Sequence, residues 1–97
     1  MLFGKKISFE ECKNYILTNF RSLKYKVHID TPDCFCIRVE KETRHIDIYL
    51  RKSGKKVTVD VEDAFGIVRI PRETFNDVIK YREFMMNVEL QLVKYKT

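Results

Sequence analysis

The sequence predicts an α+β domain: a four- or five-stranded antiparallel meander sheet with an N-terminal and a C-terminal helix on one face. Three observations predict it. Four stretches between residues 24 and 62 alternate apolar and polar residues with period two. Apolar residues recur at helical spacing on either side of them. The links between the alternating stretches are short, so neighbours in sequence are the simplest neighbours in space. At 97 residues and 11.7 kDa, the chain holds one domain.

The first helix is expected over residues 9–22. Ser8-Phe9-Glu10-Glu11 reads as a capping box, and Phe9, Cys12, Ile16, Phe20 and Leu23 then form an apolar stripe. The strands are expected over residues 24–30, 34–40, 45–51 and 56–62. Their inward residues are Tyr25, Val27 and Ile29; Phe35, Ile37 and Val39; Ile46, Ile48 and Leu50; and Val57, Val59 and Val61. Strict alternation means one wet face. Thr31-Pro32-Asp33 is a turn, because Pro fixes φ and Asp closes an Asx turn. Ser53-Gly54 stands where a two-residue hairpin turn belongs.

Residues 65–70 read as a short fifth strand or an extended lead-in. Pro71 is expected to open the last helix, since its missing N–H costs nothing in a first turn. That helix runs from about residue 72 to at least Asn87. Val88 to Leu92 also alternates with period two, but Asn87 alone is too short a link for a reversal, so helix is preferred. Two apolar stripes mark it: Phe75, Val78, Ile79, Met85 and Met86, then Tyr81, Phe84, Val88, Leu92 and Tyr95. One stripe covers a sheet. A second suggests a homodimer, with Tyr81, Phe84, Met85, Val88 and Leu92 as the expected interface.

The net charge is +5 and the pI about 9.2, which favours an anionic partner. Arg51, Lys52, Lys55 and Lys56 place four bases and no acid within six residues around one turn. Pairing apolar with apolar residues sets Arg51 opposite Lys56, Tyr49 opposite Thr58 and Asp47 opposite Asp60. It also sets Cys36 opposite Tyr49 and His28, and Arg38 opposite Asp47 and Lys26. The wet face then carries a cationic rim beside a central tyrosine. Cations that neutralise phosphates, with an aromatic on which a base stacks, make a single-strand binder. The expected contacts are Lys26, Arg38, Tyr49, Arg51, Lys52, Lys55 and Lys56. The competing reading is a solvated face on which Lys26 and Arg38 pair with the two aspartates.

No phosphate-cradling glycine loop of either common pattern occurs. The serines are Ser8, Ser22 and Ser53, at a cap, a helix end and a turn. Cys36 and His28 form at most a pair without an orienting third group. Asp47, Asp60 and Glu62 share a strand face, as a small metal-dependent nuclease would need, but lie among Lys and Arg that suit ion pairing. Catalytic residues, metal and cofactor are therefore not expected. Cys12, Cys34 and Cys36 are an odd number, and Cys34 and Cys36 lack the spacing of a structural zinc pair. Free thiols and the absence of an apolar stretch after Met1 point to the cytoplasm. No apolar run is long enough to span a membrane.

Val68, Ile70, Glu73, Phe75 and Val78 form a junction that resembles the strand-to-helix junction of the positive-cofactor-four type of transcriptional coactivator. Pro71 sits one place before that family's proline, and Phe75 stands where its aromatic is usually Trp. The element order is also similar to that of small single-stranded-DNA-binding proteins of crenarchaea and their rod-shaped viruses, with an extra N-terminal helix. The resemblance implies a homodimer, joined through its helices, that binds single-stranded DNA on a basic sheet. An alternative from the residues alone is a protein-interaction module, a viral or regulatory inhibitor, that uses the apolar last helix.

Overall fold

A computed structural model describes residues 6–97; the segment read above for a leader falls mostly outside them. The elements are α1 (Phe9–Asn19), a 3-10 turn (Arg21–Leu23), β1 (Lys26–Asp30), β2 (Cys34–Lys41), β3 (Arg44–Ser53), β4 (Lys56–Asp63), β5 (Glu73–Phe75) and α2 (Val78–Lys96). The five strands form one antiparallel meander in the order β1-β2-β3-β4-β5.

Helix α1 begins where Ser8 accepts the Glu11 amide at 3.1 Å. It stops at Asn19, three residues before the expected end. The chain tightens into the 3-10 turn and leaves it through Lys24, whose φ of 52° is left-handed. That departure delays β1 to Lys26. Phe9, Cys12 and Ile16 of α1 are buried against the inward residues of β2, β3 and β4. Helix α2 lies on the same side: Tyr81, Met85, Val88 and Leu92 are fully buried, and the Tyr81 hydroxyl donates to the Cys12 carbonyl at 2.8 Å. The Phe75, Tyr15 and Tyr81 rings meet edge to face between the helices and β5.

Four expectations change. First, Tyr81, Met85, Val88 and Leu92 are core residues within one chain and are not free to form an interface; Phe84 packs partly buried against them. Second, of the two forms expected over 65–70, the structure has the lead-in and not the strand. The Asp63 carboxylate accepts the amides of Phe65, Ile67 and Val68, each at 2.9 Å, which pins a loop that turns at Ala64 and Phe65. Third, Pro71 does not open α2. Residues Glu73–Phe75 pair with β4 first, and the helix starts six residues later, where Asp77 accepts the Ile79 amide at 2.8 Å. Residues 88–95 are helical, as preferred.

Fourth, the β3–β4 register lies two residues from the expected one. Ser53 pairs with Lys56, so the turn residues are Gly54 and Lys55. Gly54 has φ +62° whereas Ser53 and Lys55 do not enter positive φ, which matches a turn with glycine in its first central position. Tyr49 therefore faces Asp60, Arg51 faces Thr58 and Asp47 faces Glu62. The β2–β3 register holds: Cys36 faces Tyr49 and Arg38 faces Asp47.

Candidate nucleic-acid interface

The outer sheet face is built by alternate residues of β2, β3 and β4. On β1, Lys26 pairs with Arg38 as expected, but a bulge at His28 shifts the register so that Ile29 opposes Cys36. A bulge moves the residues beyond it to the other face. Ile29 thus joins the outer face, Asp30 turns toward α1 and meets Lys13 at 2.7 Å, and no His28–Cys36 pair forms. The Cys36 thiol is fully buried and is pushed up to about 12 by that burial and by Asp47. Cys12 is pushed up to about 12 in the same way, first by burial and then by Glu11. Neither thiol is a ready nucleophile.

Carboxylates occupy the cations in the middle of this face. Arg38 grips Asp47 with both arms of its fork, Nε to Oδ1 at 2.8 Å and Nη2 to Oδ2 at 3.0 Å. Asp47 is only 7% exposed, so this bond satisfies a charge that water barely reaches. It holds the Arg38 guanidinium above its ordinary range. Lys26 pairs with Glu40 at 2.8 Å, and that bond holds the Glu40 carboxyl below the usual range. Arg51 Nη1 lies 3.5 Å from Asp60 Oδ2, a contact the two-residue register shift creates. Its guanidinium also covers the half-buried Tyr49 ring, 4.5 Å from the centroid. The solvated-face reading holds for Arg38, which pairs with Asp47, while Lys26 and Asp60 find other partners.

Lys52, Lys55 and Lys56 differ. No carboxylate lies within 4 Å of their ammonium groups among the described residues. Lys52 pairs with inward Val57 and Lys56 with Ser53, so the cluster wraps around the end of the sheet and does not lie flat on its outer face. The β1–β2 turn is bound to this end, since the Lys52 amide donates to the Asp33 carbonyl at 2.9 Å. Both helices start here as well: residues 7–10 and Pro32 line a cavity with the three lysines, and the backbone of Lys6 pairs with that of Asp77 in an isolated antiparallel β-bridge before α2.

Of the seven expected contacts, the structure thus gathers Lys52, Lys55 and Lys56 at one end. Tyr49 and Arg51 form a stack beside that end, and Lys26 and Arg38 are committed to ion pairs farther along. Asp47, Asp60 and Glu62 do not converge, and among the described residues no three His, Cys, Asp or Glu side chains could hold a metal ion. No described helix is long and apolar enough to cross a membrane.

A second surface is only half legible in the sequence, where Ile79 and Met86 fall in the first α2 stripe and Leu90 and Val93 in neither. Ile79, Met86, Leu90 and Val93 are 39–63% exposed along the outward side of α2. Their spacing of seven, four and three residues is a seam that sequence alone displays. It was masked by the equally apolar stripe on the opposite side. Compared with protein-family models, with curated proteins and with solved structures, the chain matches none.

Proposed function

We propose that this protein is a non-enzymatic, sequence-tolerant binder of single-stranded nucleic acid that acts as a homodimer in the cytoplasm. The observation that carries the first half is the cluster of Lys52, Lys55 and Lys56 at one end of the sheet, with which no carboxylate among the described residues pairs. Ammonium groups without internal partners are free to replace the counterions of phosphates. The neighbouring Arg51–Tyr49 stack offers a flat cationic plane for a base, which stacks with little regard to sequence. The guanidinium takes that role because it already covers the phenol. The protonated buried thiols and the arginine-bound aspartates support a binding role over a catalytic one. The free cysteines accord with a reducing compartment.

The test is fluorescence anisotropy with labelled single- and double-stranded oligonucleotides over a range of salt. The expected result is a linear fall of log affinity with log salt, with single strands preferred. An affinity indifferent to salt, or no binding at low salt, overturns the proposal.

The outward seam of α2 supports the homodimer. In a heptad reading, Ile79, Met86, Leu90 and Val93 occupy the two apolar positions, with Glu83 between them. An antiparallel pair that sets Ile79 against Leu90 of a second copy also sets Arg82 beside Glu89 of that copy, twice by symmetry. Sedimentation at micromolar concentration is expected to give twice the 11.7 kDa mass, and Leu90→Asp to give a monomer. A wild-type monomer overturns the homodimer and favours the alternative reading, in which the same seam docks a different protein.

A further inference from the structure

We infer that the hollow at the lysine end takes a nucleotide bearing a phosphomonoester; on a strand, that is its phosphorylated terminus. The strand form of the inference rests on the nucleic-acid reading, whereas the free-nucleotide form does not.

Three chain segments enclose the hollow, a cavity of about 420 Å³. They are residues 7–10 at the start of α1, Pro32 of the β1–β2 turn, and Lys52 with residues 54–57 around the β3–β4 turn. Its apolar lining is Ile7, Phe9, Pro32 and Val57, and its cationic lining is Lys52, Lys55 and Lys56. Glu10 is the lone carboxylate among the lining residues, and the Ser8 hydroxyl is already engaged by the Glu11 amide. The volume lies within the usual range for small-ligand sites. A second hollow of about 510 Å³ shares Ile7, Lys55 and Lys56 and continues to Lys6 and Asn76.

The composition selects the ligand. Apolar walls suit a base or the flat side of a ribose, and exclude a bare inorganic anion as the best fit. Three lysines lining one concavity favour a group of more than one negative charge. A phosphomonoester carries about −1.5 to −2 at neutral pH, against −1 for a diester inside a strand. The adjoining hollow, with Lys6 and Asn76, gives the next nucleotide a way out. Lysine in place of arginine fits a compact point-charge contact without a fixed fork.

The experiment compares one oligonucleotide made with a 5′-phosphate, a 3′-phosphate or hydroxyl ends, by anisotropy at fixed salt. Calorimetry in parallel titrates a nucleoside monophosphate, the same nucleoside and inorganic phosphate. The expected result is about tenfold tighter binding of one phosphorylated end over the hydroxyl end, competition by the monophosphate, and weaker binding of inorganic phosphate. Lys52→Gln with Lys55→Gln should erase the end preference while leaving the circular dichroism spectrum and melting midpoint in place. Equal affinity for all ends, with no binding of the monophosphate, overturns the inference; salt-dependent binding of every oligonucleotide in that case leaves the proposed function standing. Binding of the monophosphate without any oligonucleotide binding upholds the hollow and removes the polymer reading. Inorganic phosphate binding as tightly as the nucleotide overturns the role given to the apolar walls.

Discussion

At the end of the sheet where β2 turns into β3, three cations are engaged. Lys41 donates to the Tyr95 carbonyl at 3.0 Å, Lys96 donates to the Glu40 carbonyl at 2.9 Å, and the Arg44 guanidinium lies 5.8 Å from the centres of both the Phe65 and Tyr95 rings. At the other end, where β3 turns into β4, Lys52, Lys55 and Lys56 have no comparable partner among the described residues. Helix polarity accounts for part of the difference, since Lys41 is the one of the three that meets a carbonyl of α2. The far end receives the C-terminus of α2, whose last carbonyls lack intrahelical donors and attract ammonium groups. The lysine end receives the N-termini of α1 and α2, which present N–H groups capped by Ser8 and Asp77. Glu10 lines the hollow, yet no ion pair or side-chain hydrogen bond engages these lysines among the described residues, and the helix dipoles add to the positive field. Equal basicity at the two ends therefore means structure at one and availability at the other.

The largest expected effect separates the two ends directly. Reversing Lys52, Lys55 and Lys56 to Glu is expected to weaken single-strand binding by about 100-fold near physiological salt and to lower the log–log salt slope by about two. Lys41→Glu with Lys96→Glu should lower the melting midpoint and leave that slope alone. Anisotropy titrations over salt check both, and a slope that responds to the far-end pair would break the comparison.

Between the ends, Arg38 and Asp47 show what charge does when it is internally matched. Arg38→Met should leave the salt slope unchanged but strand the Asp47 carboxylate at 7% exposure, costing roughly 2–4 kcal/mol. Adding Asp47→Leu should restore most of that stability, because a matched apolar pair replaces a matched charged one. Urea unfolding measures the cycle. A change in binding without a change in stability would show that the guanidinium is available after all.

Asp63 sharpens the far-end side, where charge organises backbone. Burial pushes its carboxyl up, but the amides of Val68, Phe65 and Ile67 and the charge of Arg44 outweigh burial and hold it below the ordinary range. A carboxyl lowered by folding stabilises at every pH above its unfolded value and loses that contribution as pH falls through the folded value. The loss therefore falls below about pH 4. Asp63→Ala is expected to cost about 1–2 kcal/mol at neutral pH and to flatten the acid limb of the stability profile. An unchanged acid limb would remove Asp63 as its source.

The particular residues show what was legible. Alternation in β2, β3 and β4 fixes which side chains face inward, and a two-residue slide preserves that parity, so the core was readable even where the register was not. Sequence rules accept both Ser53-Gly54 and Gly54-Lys55 as the turn pair; the positive φ of Gly54 at the first central position decides. The β1 bulge at His28 has no local signature. The start of α2 was displaced because Pro71 is a strong signal and the Asn76-Asp77 cap a weaker one, while pairing of Thr74 and Phe75 with β4 is a nonlocal gain. The side of α2 that faces the core depends on shape matching to α1, which two equally apolar stripes do not disclose. The four-base cluster was visible as a cluster, but whether each base meets an acid depends on register, and so Arg51 was lost to Asp60.

The two hairpin turns again place the ends in contrast, and one of them gives the smallest effect. Gly54 at the lysine end has φ +62°, and an added Cβ would meet nothing within 4 Å. Gly54→Ala should therefore cost only the left-handed conformation, roughly 1–2 kcal/mol. Glu42 occupies the corresponding region at the far end with φ +57° and already bears that strain. Glu42→Gly relieves it but gives the unfolded chain more freedom. The strain is the larger of the two, so the net gain should be about 0.5 kcal/mol. Urea midpoints of the two variants measured together test the shared cause: opposite signs are expected. A loss on Glu42→Gly would mean that its carboxylate, beside Lys41 and Arg44 in sequence, contributes more to the far end than its backbone costs.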